Sequence, residues 1–187
     1  MIKTRKDLKE YLKHDGIHYK SVSSGFLKRI NSRRIDTPIS DQLYIWKYIY
    51  AMRHVEYHIN NKSFYNRFMH KIWLHILRRY SYKTGFQISP NTCDKGLHIY
   101  HYGYIIINQN ARLGKNVTIY PGCIVGQTSS RECPIIGDNV ILYSGSKIIG
   151  KCRIGDNVII APNTVIYKDV PPGYTITDSN NRILKKR

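Results

Sequence analysis

Acidic residues are scarce in this chain of 187 residues: 12 Asp and Glu face 30 Lys and Arg, a formal net charge of +18 at pH 7. So lopsided a balance points to a polyanion, an anionic surface or a phosphate-bearing co-substrate, and it does not constrain the fold. Long hydrophobic runs are missing too. No window approaches the roughly 20 apolar residues of a membrane span. The N-terminal MIKTRKDLKEYLKHD has no apolar run behind its charges, so a signal peptide is not expected. The four cysteines (Cys93, Cys123, Cys133 and Cys152) form no CxxC pair and no metal-ligand spacing, which fits a reduced, cytoplasmic setting. What is present is a hydrophobic share of 42%, enough for one good core or a core with a small appendage.

The first 84 residues carry helical signals. Thr4 caps a first short helix, with Asp7 three residues on completing a capping box. Pro38 opens a second segment, in which Ile45, Ile49, Met52, Val55 and Ile59 recur at helical spacing. After NNKS a third segment places Phe64, Phe68, Ile72, Ile76 and Tyr80 on one stripe. Up to Lys83 there are 18 Lys and Arg against 6 Asp and Glu, so this half holds +12 of the charge.

From about residue 86 the period changes. IGDNVI stands at 136 and again, letter for letter, at 154. Large aliphatics fall six apart at Ile107, Leu113, Ile119 and Val125, then at Ile136, Leu142, Ile148, Ile154, Ile160 and Ile166. Four residues after nearly every one stands a small side chain, among them Ala111, Cys123, Ser146, Cys152 and Thr164. A six-residue period is neither helical nor simply alternating. It fits a mainly β fold, a parallel β-helix with three flat sides and eighteen residues per coil, behind an α-helical N-terminal segment. The aliphatic points inward and stacks on its copy one coil away, the small residue fits the corner, and GKN and GDN supply the backbone freedom that corners need. Cys123 and Cys152 occupy small-residue slots, which marks them as packing. The step from Val125 to Ile136 is eleven rather than six, so five residues around QTSSRECP are extruded. The resulting division is 1–84 helical, 85–175 β-helical and 176–187 a basic C-terminal tail.

KDLKEYLKHD, IWKYIYAMRHVEYHIN, GLHIYHYGYIIINQNARLGKNVTIYPGCIVG and the closing KDVPPG resemble the left-handed β-helix acyltransferases, in their serine O-acetyltransferase-like branch. Within that branch the likeness is to members found among genes for capsule and surface-polysaccharide assembly. The resemblance implies a homotrimer, with acetyl-CoA bound in the groove between neighbouring solenoids; no metal is expected. It puts the catalytic histidine on His101 of HYG. Gly126, Ser144, Gly145, Ala161, Pro162 and Lys168 match positions along the acetyl-CoA groove, and Tyr100, Tyr102 and Cys133 those facing the acceptor. The chemistry asks for such a histidine. A hydroxyl attacks a thioester slowly unless a base takes its proton, and an imidazole of pKa about 6.5 suits that role.

Serine acetyltransferases proper carry an aspartate before that histidine and a second histidine in the extruded loop. Here the two positions hold Tyr100 and Cys133, and the acid that orients the imidazole has no counterpart, its position falling close to Phe86. The expected acceptor is therefore a sugar hydroxyl in capsular or surface polysaccharide biosynthesis, with serine as the alternative. A non-catalytic basic solenoid that binds acidic polymer is the reading from another class. His98 reads as structural, on the opposite face from His101 if this stretch is a strand. A three-histidine metal site would need one of His54, His58, His70 or His75 beside His98 and His101, with nothing to fix it there. Cys133 reads as an inert replacement in preference to a covalent nucleophile. KSFYNRFMHKIWLHILRRY allows a peripheral contact with a membrane surface, but the favoured reading packs its stripe on the solenoid or a neighbouring subunit and leaves its cations solvated. No nucleic-acid fold is visible, so nucleic acid is not an expected partner.

Overall fold

The computed structural model describes residues 1–20, 41–128 and 131–177, and the backbone of a strand at Ile183–Lys186. Pro38 lies outside the described residues. The chain divides into two compact units, Met1–Thr84 and Gly85–Arg187.

The first unit holds α1 (Arg5–Gly16), a 3-10 turn (Ile17–Tyr19), α2 (Asp41–Ile59) and α3 (Phe64–Thr84). The capping box forms as expected: the Asp7 N–H donates to Thr4 Oγ1 at 3.0 Å, and the Thr4 N–H donates to Asp7 Oδ2 at 2.8 Å. Ile45, Ile49, Met52 and Val55 of α2 are buried, whereas Ile59, at the helix end, is exposed. Among them sits a buried charge cluster. Arg53 Nε donates to Asp15 Oδ2 at 2.7 Å, Arg53 Nη1 donates to Glu56 Oε2 at 2.9 Å, and the guanidinium lies 4.9 Å from the Tyr11 ring centre. Burial alone would favour loss of the charge, but Glu56 and Asp15 outweigh it and push the arginine pKa up.

The apolar stripe expected along α3 does not form the packed face. Phe64, Phe68 and Ile72 are exposed, and the helix instead packs through Leu77, with Trp73, Ile76 and Tyr80 half-buried. The reason is geometric. Steps of four residues advance about 40° beyond each full turn, so a stripe begun at Phe64 winds around the helix before it reaches Ile76. The side that packs on α2 is aromatic: Trp73 stacks on His54 at 4.1 Å between ring centres and meets Tyr50 at 5.8 Å, and Tyr80 meets Tyr44 at 6.3 Å.

The second unit is the three-sided parallel solenoid. One side carries β1 (Phe86–Ile88), β3 (Ile105–Ile107), β6 (Ile124–Gly126), β9 (Lys147–Ile149) and β12 (Val165–Ile166). The next carries β4 (Arg112–Leu113), β7 (Ile135–Ile136) and β10 (Arg153–Ile154). The third carries β2 (His98–Ile99), β5 (Thr118–Ile119), β8 (Ile141–Leu142), β11 (Ile159–Ile160) and β13 (Tyr174–Ile176), with β14 (Ile183–Lys186) added antiparallel at its end. The inward aliphatics stack coil on coil. Ile88, Ile107, Val125, Ile148 and Ile166 form one column, and Ile99, Ile119, Leu142, Ile160 and Ile176 another. All ten are buried, which is why the six-residue period was readable.

Corners are built as the GDN and GKN motifs suggest. Asn116, Asn139 and Asn157 adopt φ of 55°, 57° and 58°, a left-handed conformation that asparagine tolerates. Their amides form a ladder, Asn116 Nδ2 donating to Asn139 Oδ1 at 3.1 Å and Asn139 Nδ2 to Asn157 Oδ1 at 3.2 Å. The aspartates beside them accept backbone N–H groups from the previous coil, Asp138 from Lys115 and Asp156 from Asp138, both at 2.7 Å.

Candidate active site

His101 lies on the corner between β2 and β3, and its ring is exposed. The register shows why. His98 and Ile99 pair with Thr118 and Ile119, and Ile106 pairs with Ile124. The chain therefore uses six residues, 100–105, to turn from Ile99 to Ile106, where the next coil uses four, 120–123, between Ile119 and Ile124. The corner that holds His101 is two residues longer than its neighbour, and the surplus pushes His-Tyr-Gly outward. Gly103 is required there, since at φ 143° a Cβ would meet the Pro121 ring at 3.0 Å.

A column of tyrosines runs up the solenoid beside this corner. Tyr100 stacks on Tyr120 at 4.6 Å between ring centres, Tyr120 stacks on Tyr143 at 4.9 Å, and His101 meets Tyr100 edge-on at 5.3 Å. Burial, and after it the neighbouring Tyr100 and Tyr143, push the Tyr120 hydroxyl pKa up, so it stays protonated. The sequence reading missed this column. Its signal was an aliphatic–Tyr pair recurring on the same side of three coils: Ile99–Tyr100, Ile119–Tyr120 and Leu142–Tyr143. Ala161 takes the corresponding place in the next coil, its N–H donating to Ile176 O as that of Tyr143 donates to Ile160 O. Ser144 and Pro162 follow directly, so His101, Ser144, Gly145, Ala161 and Pro162 share one edge of the solenoid, with Tyr100 and Tyr102. Gly145 (φ 75°) has no room for a side chain, because a Cβ would collide with the Asn163 amide oxygen.

The remaining candidates occupy a different edge. Gly126 ends β6 opposite Ile149, at the corner that leads into the next side. Lys168 follows β12 at the same corner two coils on, exposed, with its Nζ 5.5 Å from the Tyr167 ring centre. The five-residue excursion emerges there too. Leu113 pairs with Ile136 while Ile107 pairs with Val125, so a six-residue step in one coil becomes eleven in the next. Cys133 stands on that excursion, half-buried. Burial pushes its thiol pKa up, and the Arg112 charge opposes this only in part, so a thiolate nucleophile is disfavoured there. Lys151 Nζ meets Glu132 Oε1 at 2.8 Å at the foot of the loop. Within one chain, then, the His101 edge and the Gly126–Cys133–Lys168 edge lie at opposite ends of one side of the solenoid, separated by the length of a three-residue strand, roughly 10 Å at about 3.3 Å per residue.

Cys123 and Cys152 are core packing, as expected. Both are buried, and burial pushes Cys152 up to about 11. His98 is half-buried on β2 with its ring 5.2 Å from Tyr100, and Phe86 is buried in β1. Among the described residues no three His, Cys, Asp or Glu side chains stand close enough to hold a metal ion. No helix among them is long and apolar enough to cross a membrane.

A three-sided parallel solenoid with an exposed histidine on an enlarged corner defines a class, the hexapeptide-repeat β-helix proteins. Residues 133–168 match the family of bacterial transferase hexapeptide repeats (six repeats). The chain is 32% identical over 139 residues to a serine acetyltransferase of Staphylococcus epidermidis, covering 63% of this chain and 65% of that protein. It is 30% identical to one of Staphylococcus aureus, with the same coverage. Among solved structures, the soybean serine acetyltransferase apoenzyme superposes with a TM-score of 0.67 at 21% identity, covering 96% of this chain and 69% of that one. The Brucella abortus serine acetyltransferase gives 0.67 at 20%, covering 97% and 70%. The chain spans slightly less than two thirds of the length of the curated relatives it matches. It is similar to the left-handed β-helix, hexapeptide-repeat acyltransferases, in their serine acetyltransferase-like branch.

These relatives correct the expected acceptor, and they do not show the expected closeness to surface-polysaccharide enzymes. The curated relatives at 30–32% identity are serine acetyltransferases, so the sugar acceptor does not stand. That expectation rested on two side chains that are absent and on positive charge. Two missing groups do not specify a different acceptor, and +12 of the charge lies in the helical half, in residues up to Lys83.

Proposed function

We propose that this protein is a cytoplasmic, acetyl-CoA-dependent serine O-acetyltransferase in which His101 is the general base. The observation that carries the reading is the enlarged corner, which presents an imidazole on a rigid solenoid whose curated relatives are serine acetyltransferases. In this reading the neutral imidazole takes the hydroxyl proton as the serine oxygen bonds to the thioester carbonyl carbon. Backbone N–H groups of the coil stabilise the oxyanion that forms. When the C–S bond breaks, the imidazolium returns its proton to the departing sulfur, leaving O-acetylserine and free CoA.

The division of candidates between two edges supports a homotrimer. A site made where the His101 edge of one solenoid meets the Gly126–Lys168 edge of another would let Lys168 face the CoA phosphates, which a flexible point charge can bind. Tyr100 and Cys133 carry no charge for the ends of an amino acid, so acceptor recognition falls to other residues of the seam and a high KM for serine is expected. Four free thiols agree with a reduced compartment.

The test is release of free thiol from acetyl-CoA with and without L-serine. The expected result is serine-dependent release that His101→Ala lowers by about a thousandfold while the protein keeps its fold. Absence of serine-dependent release, or an undiminished rate in His101→Ala, would overturn the reading.

A further inference from the structure

Helix α3 carries five Lys and Arg (Arg67, Lys71, Arg78, Arg79 and Lys83) and no Asp or Glu in 21 residues. Its solvent side is also apolar. Phe64 is 89% exposed, Phe68 58%, Ile72 40% and Tyr82 90%. Helical geometry, at about 100° per residue, sets Phe64, Phe68 and Tyr82 within a narrow arc, with Ile72 at its margin. Arg67, Lys71 and Arg78 flank that arc on one side and Arg79 lies within it. The opposite side is the aromatic seam of Trp73, Leu77 and Tyr80, so this is a two-faced helix whose second apolar face looks outward.

From this face we infer that the helical unit docks on an anionic lipid surface. Phenylalanines inserted beside long cations bury their rings at the boundary between headgroups and acyl chains, while Lys and Arg stems reach back to the phosphates. Each partner alone leaves something uncovered. A soluble polyanion would neutralise the cations and leave Phe64 and Phe68 in water. A second copy meeting the same face would cover the rings and set five cations against five. An anionic membrane surface covers both, and lipids of that charge enrich the cytoplasmic leaflet. The inference is independent of the acceptor and of His101. It assigns this face to a peripheral contact that would hold the enzyme at the membrane without crossing it.

The test uses the full chain, sedimented with vesicles of phosphatidylcholine alone and of phosphatidylcholine mixed with phosphatidylglycerol, at low and high salt. The expected result is partition onto the mixed vesicles only, weakened by salt. Arg78→Gln with Arg79→Gln should lower partition by about 30-fold. Phe64→Ser with Phe68→Ser should lower it by about tenfold or more. The substituted side chains are exposed, so circular dichroism should remain that of the unsubstituted protein, and the lipid and salt series on that protein needs no variant to fold. Failure to sediment with mixed vesicles at low salt would overturn the inference. So would phenylalanine variants that bind undiminished while dextran sulfate displaces the protein, the outcome for a polyanion partner. A concentration-dependent mass abolished by the same variants would also overturn it, because the face would then be taken by a second copy.

Discussion

The two units stay folded by different means. The solenoid is held by columns of one kind of residue, aliphatics stacked at the same place in each coil, with polarity confined to corners where Asn and Asp satisfy the backbone. The helical unit instead buries an arginine and two carboxylates among its apolar contacts, closes its α2–α3 seam with aromatic rings, and leaves large apolar side chains of α3 in solvent. A repeating core forgives single changes because each column has many members. A charge cluster does not, since every member depends on the others. The difference also separates roles. The regular unit can hold one imidazole at a fixed place, and the irregular one offers a surface.

The sharpest way to test this contrast is Arg53→Leu. Removing the guanidinium leaves Asp15 and Glu56 buried without their counter-charge, at a cost of about 4 kcal/mol. Urea unfolding followed by far-ultraviolet circular dichroism should then show early loss of helix with the β signal retained. Simultaneous loss of both would mean that the units are not independent in stability.

A smaller effect should come from pH. Burial, reinforced by the nearby His58, holds the His54 pKa down at about 4, against about 6.5 for an unfolded histidine. The folded unit therefore resists taking this proton. Its stability is full above about pH 6.5 and falls as pH drops towards 4. His54 is only partly buried, and after discounting for solvent the loss between pH 7 and 5 should be about 1 kcal/mol. The slope should shrink in His54→Phe, the remainder coming from His18, whose pKa burial also holds down, and the solenoid transition should not move over the same range.

The smallest effect tests the solenoid itself. The Thr164 hydroxyl is buried without a hydrogen-bond partner among the described residues. Thr164→Val should raise the solenoid's urea midpoint by a gain of about 1 kcal/mol or less. A loss there would show that the hydroxyl has a partner in solution.

The α3 stripe and the His101 corner show how far the sequence could be read. Both start from spacing. Along the solenoid a spacing of six lands every aliphatic on the same inward place, so the pattern and the burial agree. Along α3 a spacing of four drifts around the helix, and Phe64 and Ile76 end on different sides although they belong to one written stripe. Likewise the five-residue excursion before Ile136 was visible as a broken period. The two-residue enlargement at 100–105 was not, because it precedes the first aliphatic of the regular run at Ile107 and emerges only from pairing with the next coil.

By itself, then, the order of residues determined the winding, the inward columns, the corner asparagines and the inert place of Cys123 and Cys152. Each of these depends on neighbours within one period, and such information is local. Only the tertiary structure decided that His101 stands out on a lengthened turn beside stacked tyrosines, that Gly126 and Lys168 lie on another edge, and that Phe64 and Phe68 face solvent. Those outcomes depend on which distant strand or helix comes to lie alongside, and pairing across coils sets them where spacing along the chain cannot.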